Sequence, residues 1–199
     1  MTTDIFLALA FFAFATLFSP GPNNLMLMAS GANFGLRRSL PHLLGVATGF
    51  PAMLTLVGLG VMQLFDAWPH SHTVLRVIAV VYMFWLAWKI AHAAPPKDAD
   101  TESRPLTYLQ ASAFQWVNPK AWTMGLGAIT LYATSRDLDA ILMVAGTYLL
   151  IGCFSAAAWT VLGTGIRRLL NRPQRLMIFN WTMAGLLLAS LIPVFLMPS

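Results

Sequence analysis

The residues of this chain best suited to chemistry gather at two proline motifs, Ser19-Pro20-Gly21-Pro22-Asn23-Asn24 and Asn118-Pro119-Lys120, with Pro22 and Pro119 set 97 residues apart. Proline has no N–H, clashes with the carbonyl four residues back and disfavours helix in the residue before it. It fits the first position of a new helix, behind a capping residue. Asn118-Pro119 has the form of an N-cap followed by that first position. Gly21-Pro22 is similar, with glycine tolerating an irregular backbone. Two helices starting here aim free N–H groups and positive dipole ends at the space between them. That arrangement suits the carboxylate of a small anionic or zwitterionic molecule, and Lys120 adds a cation. A lone proline in a helix more often only kinks it, which is the reading for Pro51 and Pro193; the matched pair, each flanked by Asn, points to a site.

Composition decides which elements can hold these motifs. Of 199 residues 58% are apolar and only 10% charged, against about 45–50% and about 25% in soluble domains. A soluble domain of this size has too little interior to hide so many apolar side chains. The mean hydropathy of +0.69 agrees, and a membrane protein follows. The single cysteine, Cys153, excludes an intrachain disulfide and a dithiol relay. The opening stretch MTTDIFLALAFFAF lacks a basic leader and runs into SPGPNN, so it reads as a retained first span rather than a signal peptide.

A helical crossing takes about 20 apolar residues. Charged or turn-rich breaks leave six candidate spans, roughly 5–30, 39–65, 73–93, 107–134, 138–163 and 176–197. The runs are continuous rather than alternating over ~10 residues, as barrel strands would be. Backbone polar groups in lipid must be satisfied internally, which leaves helices. From Asp4 to Pro22 is 18 residues and from Pro22 to Arg37 is 15; from Arg104 to Pro119 is 15 and from Pro119 to Arg136 is 17. Each motif therefore breaks its span near the middle. Lys120 is the ionisable residue near mid-span, where a charge costs about 2.5–3.5 kcal/mol on insertion scales. A cavity-facing role is expected, with backbone carbonyls, Asn side chains or the substrate as partner. The polar stretch 95–104 divides the single domain 1–199 into halves 1–94 and 105–199 with three spans each. An odd number of spans per half makes the halves oppositely oriented, a common transporter plan. The expected fold is an all-α integral membrane protein of six transmembrane helices, a 3+3 inverted repeat with proline-broken first and fourth helices.

Other polar residues are candidates for the cavity wall: Gln115, one turn before Lys120, and Tyr82, Tyr148 and Asn180 inside spans three, five and six. Bonds to a neighbouring helix are the plain alternative for each. Gly45 and Gly49 form a G-x-x-x-G suited to close helix packing. His42, His70, His72 and His92 fall at span ends and read as interfacial rather than as metal ligands.

FSPGPNNLMLMASGANFGLRRSLPHLLGVATGF and AFQWVNPKAWTMGLGAIT resemble the paired signatures of the LysE/RhtB amino-acid exporter family, with matching length and spacing over essentially the whole chain. The resemblance implies a permease of the cytoplasmic (inner) membrane that exports amino acids or related metabolites, driven by the proton gradient. By position it implies substrate-binding roles for Pro20, Gly21, Pro22, Asn23, Asn24, Asn118, Pro119 and Lys120. One Lys without an acid disfavours cationic amino acids, so neutral ones are expected. Two other classes compete. Efflux of a metal or small cation calls for intramembrane His, Cys or carboxylate ligands, where the spans offer mainly Met. An intramembrane enzyme calls for a nucleophile beside a base, and no span shows a His or Asp next to a plausible Ser. The expected partners are a small-molecule substrate, membrane lipids and, for a small permease, a second copy of the chain in a homodimer; no cofactor and no nucleic acid are expected.

Charge gives the orientation. Nine cations (Arg37, Arg38, Lys89, Lys97, Arg104, Arg167, Arg168, Arg172 and Arg175) fall on one side, and two, Arg76 and Arg136, on the other. The positive-inside rule puts the nine in the cytoplasm and both termini outside. Reporter fusions after Asp98 and after Ser199 are therefore expected to give cytoplasmic and external signals respectively; an internal signal at Ser199 would remove the last crossing.

Overall fold

The computed structural model describes residues 2–61, 63, 67, 70–93, 104–133, 135, 137–170 and 172–192, and among them every regular element is helical. In order these are α1 (Thr3–Phe18), α2 (Pro22–Gly58), α3 (Ser71–Ala91), α4 (Tyr108–Phe114), α5 (Pro119–Tyr132), α6 (Leu138–Ile166) and α7 (Pro173–Ala189). Short 3-10 turns follow α4 at Gln115–Val117 and α6 at Arg167–Leu169. Residues 95–103 of the polar divide, Pro193 and the end of the last expected span lie outside the described residues. Among the described residues three helices are long and apolar enough to cross a membrane: Pro22–Gly58, Thr73–Ala91 and the run Leu138–Leu169.

Local chemistry accounts for the helix starts. Thr107 and Gln110 form a capping box at α4, the Thr hydroxyl accepting from Gln110 N and the Gln carbonyl from Thr107 N. Pro22, Pro119 and Pro173 each open a helix, where a missing N–H costs nothing. At Pro51 the backbone keeps helical angles.

The break expected between the first two spans, over 31–38, is narrower than the sequence suggests. Helix persists on both sides of a single residue, Gly35, whose φ of 76° and ψ of 169° leave the helical region. Glycine alone adopts that conformation readily. A straight α2 of 37 residues would be about 55 Å long, well beyond a hydrocarbon core of about 30 Å. It is not straight. The hydroxyls of Ser30 and Ser39, nine residues apart, are 2.7 Å from each other, where a continuous helix would separate them by about 13 Å. The chain folds back at Gly35, and α2 consists of two segments, 22–34 and 36–58.

Both segments pack on α6. A Cβ on Gly31 would collide with the Thr160 carbonyl, and one on Gly163 with the Met28 carbonyl. Gly45 and Gly49 do hold α2 against α4: a Cβ on Gly49 would lie 2.6 Å from Ser112 Cα, and one on Gly45 would collide with the Tyr108 carbonyl. Ser112 Oγ also donates to Gly45 O at 3.1 Å. Lipid offers no hydrophobic drive between helices, so such close approaches and interhelical hydrogen bonds carry the packing. One apolar cluster joins α2, α3, α4 and α7 through Leu43, Met83, Leu86, Phe114 and Leu187, and a second joins α1, α2, α5 and α6 through Leu9, Phe50, Met53, Ala128 and Tyr148. Phe11, Phe154, Leu150 and Trp88 point outward and are more than 60% exposed, as lipid-facing side chains are.

Gly163→Leu is expected to destabilise the chain by more than the ~1–3 kcal/mol of ordinary overpacking, because the added atoms meet backbone. Gly146→Ala and Gly185→Ala, where a Cβ meets nothing within 4 Å, should hold or slightly raise the thermal unfolding midpoint in detergent, since alanine favours helix over glycine.

Candidate functional site

The two proline motifs meet. α1 ends at Phe18, α2 begins at Pro22, and Ser19, Pro20 and Gly21 between them are non-helical. The carbonyls at the end of α1 lose their helical partners here and must find others. Asn24 Nδ2 donates to Leu17 O at 2.6 Å and to Ser19 O at 2.9 Å. Ser155 Oγ, from α6, donates to Leu17 O at 2.8 Å. Lys120 completes the set: Nζ donates to Ser19 O at 2.7 Å, Ser19 Oγ at 2.8 Å and Pro20 O at 3.2 Å.

The second motif builds the other side. The 3-10 turn Gln115–Val117 ends at Asn118, whose Oδ1 accepts from Lys120 N at 3.1 Å while Pro119 opens α5. Lys120 thus sits in the first turn of α5, where its charge opposes that helix's own dipole. Its ammonium, however, reaches the C-terminal end of α1, where a cation is favoured. Gly21 makes room for the reach: a Cβ there would lie 2.6 Å from Lys120 Cδ. The start of α2 differs from that of α5, because Gly21 provides no side-chain cap. Asn23 instead pairs across the halves with Gln115, donating to its Oε1 at 2.8 Å and accepting from its Nε2 at 3.2 Å. Gln115, fully buried, also donates to Ala111 O at 2.9 Å.

Two cavities flank this junction. The smaller, about 30 Å³, is lined by Gly21, Asn23, Asn24, Asn118, Lys120, Tyr148 and Ser155 and has room for about two waters. The larger, about 690 Å³, is lined by Pro20, Gly21, Pro22, Pro119, Lys120, Arg76, Trp116 and Trp122. Gly21 and Lys120 border both, so they form the partition between a tight pocket of mixed polar and apolar lining and a wide vestibule. Among the described residues no acidic side chain lines either cavity.

Of the sequence-derived candidates, Pro20, Gly21, Pro22, Asn23, Asn24, Asn118, Pro119, Lys120 and Tyr148 line one cavity or the other, and Gln115 supports them from behind. Tyr148 OH shares a 3.3 Å hydrogen bond with Thr16 Oγ1. Tyr82 and Asn180 lie elsewhere. Tyr82 stacks on Trp85, with centroids 5.2 Å apart, and packs on Phe114. Asn180 exchanges hydrogen bonds with Asn33 at 2.8 and 3.0 Å and donates to Ala93 O at 3.2 Å. His42, expected at a span end, is buried by the helices packed around it. Ser19, Thr16 and Ser155 join the site unforeseen. Ser19 at least lies inside the motif, whereas nothing in the apolar run of α6 distinguishes Ser155. Among the described residues no three His, Cys, Asp or Glu side chains gather as a metal site would require.

A family model described as LysE type translocator matches residues 14–197. A cysteine/O-acetylserine efflux protein of Escherichia coli O139:H28 (strain E24377A / ETEC) is 27% identical over 197 residues, covering 98% of this chain and all of the relative. The protein of the same name from Klebsiella pneumoniae (strain ATCC 700721 / MGH 78578) is 28% identical over 189 residues, covering 94% and 95%. The one from Escherichia coli K12 is 28% identical over 177 residues, covering 88% and 90%. No solved structure matches.

The Asn23–Gln115 pair ties the halves together and is testable as a unit. Asn23→Ala and Gln115→Ala should each cost about 1–3 kcal/mol, since each leaves a polar partner unsatisfied. The double variant should cost less than the two single costs added, by about 0.5–3 kcal/mol in a double-mutant cycle read from unfolding in detergent.

Proposed function

The chain belongs to the LysE type translocator family, and from that membership we propose that it exports small neutral amino acids, or metabolites close to them, from the cytoplasm across the cytoplasmic membrane. The observation that carries this reading is the Lys120 ammonium, held between two helix starts and bordering both a tight pocket and a wide vestibule. A substrate carboxylate can replace the Ser19 and Pro20 carbonyls as the ammonium's partner. Beside it the uncapped first turn of α2 presents the backbone N–H groups of Asn23 and Asn24, which have no intrahelical acceptor. With no acid among the described lining residues, a second positive charge on the substrate goes unbalanced, which favours neutral amino acids. Cysteine and O-acetylserine, in the names of the relatives, are of this kind.

The reading extends to architecture. α1 with the first segment of α2, and α4 with α5, act as two broken crossings, while the second segment of α2, α3, α6 and α7 act as continuous ones. That makes six crossings, three in each half, with both termini outside. Support comes from the equivalent places of Pro22 and Pro119 at the start of α2 and α5 and from the fold-back at Gly35. Release of Lys120 from the carbonyls of Ser19 and Pro20 is the step that lets substrate pass the partition. Export runs as secondary transport on the proton gradient.

Initial uptake into energised inverted membrane vesicles, whose cytoplasmic face is turned outward, tests the reading when normalised to inserted protein. Cysteine, O-acetylserine and serine should be transported, lysine should not, and an uncoupler should slow the flux. Lys120→Met should reduce the rate at least tenfold without loss of insertion. Lys120→Arg should fall between, because a planar guanidinium needs more room beside Gly21 than a compact ammonium. Parental rates in Lys120→Met would remove this residue from the mechanism.

A further inference from the structure

A further cavity, of about 50 Å³ and largely apolar in its walls, lies at the far end of the first α2 segment, against α3 and residues 104–106. It has room for a few waters or one carboxylate group. His42 lines it, only 1% exposed, and neither ring nitrogen has a hydrogen-bond partner. Buried polar groups are nearly always paired, and one that is not marks a place where a partner is missing. The neighbours are already engaged. Ser30 is bonded to Ser39, and Asn33 to Ala29 O and Asn180. What remains open to a ligand is the His42 ring with two cations, Lys89 and the exposed Arg104, which brings the cavity to the surface. Lys89 Nζ lies 5.3 Å from the centre of the Trp85 ring, a contact that positions the ammonium and leaves its charge in place. No acidic side chain among the described residues lines the cavity. An imidazole able to donate one N–H, beside an ammonium and a guanidinium, suits an anion and repels a cation.

We propose that this cavity is a second substrate site, which takes the carboxylate of the amino acid at the cytoplasmic mouth before it reaches Lys120. The proposal rests on the export reading and on the orientation that places Lys89 and Arg104 in the cytoplasm. Asn24 at the first site and Asn33 at the second lie on one helical segment, nine residues or about 14 Å apart. One small amino acid does not bridge that distance, so the two sites act in succession, with the first segment of α2 as their common wall.

The test is equilibrium binding of L-cysteine to the full chain in lipid nanodiscs carrying Lys120→Met, which disables the first site. Cysteamine, the same molecule without its carboxylate, serves as control. Binding of L-cysteine should persist in Lys120→Met and weaken at least tenfold when His42→Gln or Lys89→Gln is added. Lys89→Arg should restore most of it, and cysteamine should bind weakly to all. Unfolding midpoints of the added variants, matched to that of Lys120→Met alone, distinguish loss of the site from loss of fold. L-cysteine binding that is absent from Lys120→Met, or indifferent to His42→Gln and Lys89→Gln, overturns the proposal. Binding that follows the expected pattern in a chain whose parent moves no amino acid in vesicles keeps the site and overturns the export reading instead.

Discussion

Backbone polar groups without water to receive them are the constraint on which the rest of this molecule turns. Where α1 stops at Phe18, carbonyls come free in the apolar interior, and each unsatisfied group there costs several kcal/mol. The chain answers with side chains drawn from three elements: Asn24 from α2, Ser155 from α6 and Lys120 from α5. The site is thus a by-product of keeping an interrupted helix stable. Groups that satisfy the backbone in one state are available to a ligand in another, provided the ligand offers equivalent oxygens. A carboxylate does.

Two kinds of contact hold the frame around this junction. Glycines at 31, 45, 49 and 163 let backbones touch, so α2 lies against α6 on one side and α4 on the other without intervening side chains. Paired amides, Asn23 with Gln115 and Asn33 with Asn180, close hydrogen-bond pairs between elements distant in sequence. Neither kind relies on hydrophobic exclusion, which has little force between helices in lipid. The large aliphatic and aromatic side chains are consequently free to face outward.

A half-buried cation among apolar helices is costly, and its retention is explicable only through the partners found for it. Lys120 meets three oxygens at the negative end of a helix, an arrangement of dipoles rather than an ion pair. A fixed carboxylate would neutralise the lysine and also repel a substrate carboxylate. Carbonyl partners hold the ammonium while leaving its charge to attract an anion.

Much of this was legible from residue types alone. Composition required a membrane protein of helices, because no soluble core of this size hides so many apolar side chains. The restrictions that proline places on its own N–H and on the preceding residue are local, so the helix starts at Pro22 and Pro119 and the Asn118 cap could be read without a fold. So could the close-packing role of Gly45 and Gly49. Tertiary structure decided what depends on meeting. It paired Lys120 with the carbonyls of Ser19 and Pro20, and Asn23 with Gln115, contacts spanning 101 and 92 residues that no local rule connects. It brought in Ser155, one hydroxyl in an apolar run, and it kept Tyr82 and Asn180 away from the two cavities that Lys120 borders. It also narrowed the break between the first two expected spans to Gly35, since one residue in the left-handed region is enough to reverse a helix. Helix packing buried His42. Nearness to a span end in sequence does not tell which side chain a neighbouring helix will cover; that depends on packing, which only the tertiary structure decides.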